Sequence, residues 1–381
     1  MFCSDVQGAF DRVRADRLES KLKMSGVPSQ LVAVLISWLA ARRANFVVEG
    51  AKSDDAQLQN MVYQGTVLGP PLWNLFFKDA KTAIVNSEFE EIVYADDLNA
   101  FKEFDSSTEN EVILASCGSC QTNLHVWGAA NSVTFDPGKE SMHVLSRHTP
   151  AGEDFKILGI LFDPKLRMEA CVSDLCTEAS WKISTILRAR RYHSAEELIL
   201  LYKSQVLSFI EYRTPAIYHA CDTVLERVDR LQKRFLREIG VSAERALAQF
   251  SLAPLTARRD MAMLGLIHRT VLGKGPPHFR RFFKVQCPGS RRDVTREDKR
   301  KHPLQLVDPR SGSHSVLLTR SALGLIGVYN LLPSSTVGEC SVPTFQSSLQ
   351  ALLRERVAKC EDGWEQIFSP RLFLYSHPLR K

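Results

Sequence analysis

The chain of 381 residues contains no apolar run long enough to cross a bilayer. Its longest nearly apolar stretch, Leu31 to Ala41, is interrupted by Ser37 and Trp38 and falls well short of the roughly 20 residues a membrane helix requires. No basic segment followed by an apolar one opens the sequence, so it reads as carrying no secretory signal. The nine cysteines form no regular framework, and their odd number excludes a fully paired scaffold. A reducing, intracellular compartment follows as the default. Cys117 and Cys120 form a lone CxxC with no second ligand pair nearby, and Cys340 and Cys360 have no neighbouring ligands, so zinc sites are not expected. No GxxxxGK[ST] loop is present to cradle phosphates.

What is present is an ordinary globular composition, 44% hydrophobic and 24% charged, enough for two or three domains. The net charge of +6 conceals an asymmetry. Residues 1–163 hold 14 Lys and Arg against 22 Asp and Glu, whereas residues 164–381 hold 35 against 21. An acidic front half suits carboxylates gathered around cations. A basic rear half suits phosphate backbones, although a solvated basic face gives the same count.

The stretch Ile92-Val93-Tyr94-Ala95-Asp96-Asp97-Leu98-Asn99-Ala100-Phe101 places two adjacent aspartates between two β-rich apolar runs. A hairpin is predicted, with strands at about 91–95 and 98–104. Neighbouring carboxylates repel each other, and burial raises the penalty of both charges. The stretch taken alone reads equally as a charged hairpin tip or as a cation site. Phe2 to Val6 reads as a core strand carrying Asp5 near its end, a place that holds a carboxylate rigidly. Asp16 is placed to cap a helix running to Met24, with Leu18 and Leu22 on its buried face. A second helix after Pro28 would bury Leu31, Val34, Leu35 and Leu39. Gly65 and Gly69 bracket a tight connection before a helix led by Pro70 and Pro71. Thr108 to Asn131 reads as a long helix burying Val112, Leu124 and Trp127, and 171–219 as helical with Trp181, Ile183, Ile186 and Leu187 apolar.

Taken in order, Asp5-Val6-Gln7-Gly8-Ala9-Phe10-Asp11, Gln64-Gly65-Thr66-Val67-Leu68-Gly69-Pro70, Tyr94-Ala95-Asp96-Asp97, Phe135-Asp136-Pro137-Gly138-Lys139-Glu140 and Leu158-Gly159-Ile160 resemble the successive motifs of a reverse transcriptase palm of the non-LTR retrotransposon type. The resemblance implies an α+β fold: a polymerase palm with an antiparallel sheet and packed helices over 1–168, its fingers largely missing. A mainly helical thumb and connection over 169–272, a basic linker or mobile arm over 273–311, and a small C-terminal region over 312–381 would follow. It implies catalytic roles for Asp5, Asp96, Asp97 and Lys139, with the three aspartates holding two Mg²⁺ ions, for which Mn²⁺ may substitute. Such ions stand about 3.5–4 Å apart and serve both the attacking and leaving oxygens. Phe10, Gln64 and Gly65 would border the incoming dNTP, with Phe10 excluding a ribose 2′-hydroxyl.

The implied activity is RNA-directed DNA polymerisation, adding dNTPs to a DNA primer on an RNA template. The alternative is a catalytically inactive remnant of that family that at most binds nucleic acid. An unrelated two-metal phosphohydrolase is a third reading. Arg188, Arg190 and Arg191 form a basic turn, and Lys233 and Arg234 lie in a helix alternating basic and apolar residues. All five are candidate phosphate contacts. Nine Lys and Arg against three acids in 280–301 fit nucleic-acid binding, nuclear import or a solvated arm equally.

Overall fold

The computed structural model describes residues 1–40, 42–58, 62–286, 301–310 and 315–380. Contacts divide the chain into two compact units, Met1–Leu166 and Arg167–Lys381. Each is a mixture of packed helices with, in the first, small antiparallel sheets.

In chain order the first unit runs β1 (Phe2–Asp5), α1 (Ala15–Met24), α2 (Ser29–Ala40), β2 (Arg43–Ala44), β3 (Val47–Val48), β4 (Ala51–Lys52), β5 (Ala56–Gln57), α3 (Gly69–Phe77), α4 (Ala80–Val85), β6 (Glu90–Tyr94), β7 (Asp97–Phe101), α5 (Asn110–Asn131), β8 (Ser141–Met142), β9 (Phe155–Ile157) and β10 (Ile160–Phe162). The principal sheet has the order β6-β7-β1-β8. All its pairings are antiparallel, with Phe2 opposite Ala100 and Asp5 opposite Asp97. β1 is interior to the sheet, and Phe2, Cys3 and Ser4 are all buried, as expected of a strand covered on both faces. The hairpin expected from the paired aspartates is there, its second strand ending at Phe101.

Several local expectations are corrected. Asp16 does not cap α1: Arg14 is the capping position, and Asp16 sits in the first turn, where both its carboxylate oxygens accept from the Arg14 guanidinium at 3.0 Å. In α2 the buried stripe is Val32, Leu35 and Leu39, while Leu31 and Val34 face solvent. The helix is apolar nearly all round, so composition could not say which stripe faces the core. In α5 the core takes Ile113, Cys117, Cys120 and Leu124, and Val112, one step off that stripe, is exposed. Cys117 and Cys120 are fully buried.

The second unit continues with α6 (Glu169–Arg188), α7 (Ala195–Tyr202), α8 (Ser208–Ile217), α9 (Asp222–Glu238), α10 (Ala243–Phe250), α11 (Leu255–Val271), α12 (Val316–Arg320), α13 (Leu325–Leu331), α14 (Ser334–Val337) and α15 (Val342–Ala358). A π-helical segment, Lys203–Leu207, carries α7 into α8. On α6 the buried stripe runs through Leu175, Ala179, Ile183, Ile186 and Leu187, which turns Trp181 outward, 66% exposed. α11, α13 and α15 share one apolar core. Of the segment read as a basic linker, residues 287–300 and 311 lie outside the described residues. Its flanks pack into the unit: Phe283 and Leu306 are buried, and Val285 bridges Leu306. Among the described residues no helix is long and apolar enough to cross a membrane.

Candidate functional site

The site is built on the turn joining β6 to β7. Tyr94 lies opposite Asp97, which leaves Ala95 and Asp96 as a two-residue loop. Ala95 has φ 56°, a left-handed conformation that disfavours a residue with a Cβ by roughly 1–2 kcal/mol. Two hydrogen bonds from outside the hairpin hold it there. Trp73 Nε1–H donates to the Ala95 carbonyl at 2.8 Å, and Val6 N–H donates to the Asp96 carbonyl at 3.4 Å. Trp73 is itself fixed by packing, being buried and stacked on Phe77 at 5.0 Å and on Phe10 at 5.9 Å. The glycine-flanked connection before α3 serves this packing. A Cβ at Gly69 would stand 2.8 Å from the Tyr63 carbonyl and 3.3 Å from the Phe10 ring.

The strand register brings Asp5 directly opposite Asp97, with Asp96 on the adjoining turn. Burial, followed by the charge of Asp5, pushes the Asp97 carboxyl above the ordinary aspartate range. Asn99 Nδ2, at 3.4 Å, and the Leu158 N–H pull the other way by donating to that carboxylate. Leu158 and Gly159 form the loop between β9 and β10, with φ of 49° and 77°. Two positive values in a two-residue loop are the signature of a type I′ hairpin turn, and here the turn delivers a backbone donor to Asp97.

Lys139 completes the cluster. Its Nζ donates to Asp5 Oδ2 at 2.5 Å, and this hydrogen bond together with the Asp5 charge raises the lysine pKa. The segment carrying Lys139 is tied down on both sides. Asp136 N–H donates to the Asp5 carbonyl at 3.0 Å. Glu140, whose side chain is only 6% exposed, accepts from Ser4 Oγ at 3.0 Å and Gln121 Nε2 at 2.8 Å, and lies 2.9 Å from His125 Nε2. The His125 ring stacks on Phe135 at 5.3 Å. A buried carboxylate with several partners is a firm anchor.

This geometry corrects the expectation of two Mg²⁺ ions at Asp5, Asp96 and Asp97. Among the described residues there is no group of three or more His, Cys, Asp or Glu side chains able to share a metal ion. The donor chemistry gives the reason. Asp5 is already neutralised by an ammonium, and Asp97 is engaged by two N–H donors. The positive charge and the hydrogen bonds a cation would supply come instead from this chain's own side chains and backbone.

The remaining predicted residues fall into separate groups. Phe10 belongs to the aromatic packing behind the turn. Gln64 and Gly65 are exposed, on the turn before α3, with Gly65 at φ 81°. In the second unit, Arg188 ends α6 and donates to Thr185 Oγ1 at 3.1 Å, while Arg190 pairs with Glu238 at 3.4 Å. Arg191 lies 5.2 Å from the Tyr192 ring centroid. Lys233 stands 4.0 Å from Glu365, and Arg234 is exposed on α9. Sequence reasoning missed Trp73, Glu140 and the Leu158 N–H as supports of the carboxylates. The one available signal was their place beside or within the quoted motifs, since a backbone donor and a buried anchor leave no compositional trace.

Comparison with known proteins finds similarity over part of the chain. Residues 1–162 match the reverse transcriptase (RNA-dependent DNA polymerase) family. The RNA-directed DNA polymerase from mobile element jockey of Drosophila funebris is 27% identical over 266 residues, and that of Drosophila melanogaster 29% over 262. Over part of its length, the chain is similar to RNA-directed DNA polymerases of mobile elements. The probable RNA-directed DNA polymerase from transposon X-element of Drosophila melanogaster is 25% identical over 250 residues. Each jockey match covers 62% of this chain and 28% of the relative, so the chain spans under a third of the length of these polymerases.

Proposed function

We propose that this chain is a reverse transcriptase relative that binds nucleic acid through a palm-like first unit and a thumb-like second unit, without carrying out nucleotidyl transfer. The observation that carries the reading is the Asp5–Lys139 pair inside the segment that matches the family. The strands and turns that present the carboxylates carry the segments that resemble the family's motifs, yet the Asp5 oxygen that would face a cation already accepts from a lysine. Kinship and the excess of Lys and Arg in 164–381 favour a primed RNA–DNA hybrid as partner, met inside the cell. Electrostatic contact with phosphates makes such binding salt-dependent.

The test pairs two measurements on the full chain. Fluorescence anisotropy with a 3′-recessed RNA–DNA hybrid should show binding that weakens steeply as salt rises. Primer extension with dNTPs, in Mg²⁺ or Mn²⁺, should give no product. Incorporation that disappears in Asp96→Ala would replace this reading with that of a working polymerase, and absence of binding at low salt would dispose of it altogether.

A further inference from the structure

The outward turn of Trp181 leaves a large aromatic side chain, 66% exposed, on α6. It is not isolated. Lys182, the next residue, places its Nζ 5.2 Å from the ring centroid of Phe209 on α8, and Arg213 lies over the same ring at 4.1 Å. One phenyl ring therefore gathers cations from two helices. Tyr212, beside Arg213, is 57% exposed. Along α6, Trp181, Thr185 and Arg188 are spaced i, i+4 and i+7, so they share one face. Thr185 Oγ1 donates to the Trp181 carbonyl at 3.1 Å and accepts from the Arg188 guanidinium at 3.1 Å. Glu211 on α8 does not cancel this charge, because Arg258 engages it at 2.5 Å.

We infer that this α6–α8 face is a stacking surface for an unpaired nucleic-acid strand, with bases on Trp181 and Tyr212 and phosphates on Lys182, Arg188 and Arg213. The inference rests on the nucleic-acid reading proposed above and adds to it the kind of strand this face takes. Exposed aromatic rings interleaved with cations are what an unpaired strand requires. Every base offers a π-face, and its backbone follows the positive charge. A duplex hides those π-faces inside its stack, so Trp181 and Tyr212 would gain little from it. The Phe209 ring holds Lys182 and Arg213 by cation–π attraction, fixing two charges before a strand arrives.

Anisotropy with a fluorescent oligothymidylate, an oligouridylate and a blunt RNA–DNA hybrid tests this on the full chain. Trp181→Ala with Tyr212→Ala should weaken both single strands about tenfold or more, since each stacked base contributes a substantial share of affinity. The hybrid should be nearly unaffected, and Trp181→Phe with Tyr212→Phe should restore single-strand binding. Lys182→Ala with Arg213→Ala should lower the slope of log K against log salt for single strands by about 1.4. Because Trp181 and Tyr212 are exposed, the aromatic variants should keep the wild-type melting temperature. Unchanged single-strand affinity in the alanine pair, or an equal loss on the hybrid, would overturn this inference alone. A wild-type chain that binds none of the three probes would overturn the nucleic-acid reading as well.

Discussion

Two pairs of neighbouring ionisable residues in this molecule meet opposite fates. Asp96-Asp97 closes a hairpin at the edge of the first unit's sheet, only partly buried. Arg259-Asp260 lies inside α11 of the second unit, with both side chains buried. Arg259 forms a two-pronged bridge to Asp229 at 2.6 and 2.9 Å, and Asp260 accepts from Tyr218 O–H at 2.6 Å. Arg371 donates to the carbonyls of Tyr218 and Ala220 at 3.0 Å and is paired with Asp222, beside a cavity of about 450 Å³. The first pair is held by backbone geometry and keeps its carboxylates near water. The second is held by other charges and depends on every partner being present. A positioned surface carboxylate leaves a motif in the sequence, whereas a buried charge network is a matter of tertiary packing.

The sharpest way to break this comparison is to remove one partner from the buried network. Arg259→Ala would strand Asp229 and Asp260 without their shared cation, and removing one member of a buried pair typically destabilises by about 3–5 kcal/mol. Urea unfolding monitored by circular dichroism should show a large drop in midpoint. A change within the scatter of repeated measurements would mean the network is solvated.

Asp260 gives the pH counterpart. Burial raises its carboxyl to about 7 from 3.8, against the lowering effect of Tyr218 and Arg259. For an acid whose folded-state pKa is raised, the stability contribution is fully present below the unfolded value and is lost as pH rises through the folded one. The chain should therefore lose stability between about pH 4 and pH 7, by on the order of a few kcal/mol at about 1.4 kcal/mol per unit. Asp260→Asn should flatten that part of the profile and raise the melting temperature at pH 8 relative to the unsubstituted chain. Parallel profiles for the two proteins would refute the assignment.

The surface pair responds to a gentler change. Trp73→Phe keeps most of the ring packing but deletes the hydrogen bond to Ala95, and should destabilise by about 1 kcal/mol. Hydrogen exchange should speed up at the β6–β7 turn more than in α5. Uniform acceleration across the first unit would mean that Trp73 acts only as core.

What could be read in the sequence divides along the same line. The Asp96-Asp97 hairpin, the Asp5 strand and the glycine turn before α3 were legible because each is a backbone arrangement with a local pattern. The buried stripe of α2 was half legible, since an apolar helix does not declare which side faces the core. In the sequence Trp181 is one more apolar position of its helix, yet Ile183 and Leu187 supply the buried stripe and leave it outside. The metal expectation failed on contacts between distant positions: Lys139 reaches Asp5 across 134 residues, and the Leu158 N–H reaches Asp97. Glu140 and its partners Ser4, Gln121 and His125 were invisible for the same reason, because a buried anchor is defined by what folding brings to it.

The Lys139–Asp5 contact is also where the account is most exposed. Electron paramagnetic resonance of Mn²⁺ mixed with equimolar protein measures free ion directly. The account predicts that the free Mn²⁺ signal is unchanged by the wild-type chain and by Asp5→Asn alike. A free-ion signal depleted by the wild-type chain and restored in Asp5→Asn would contradict it.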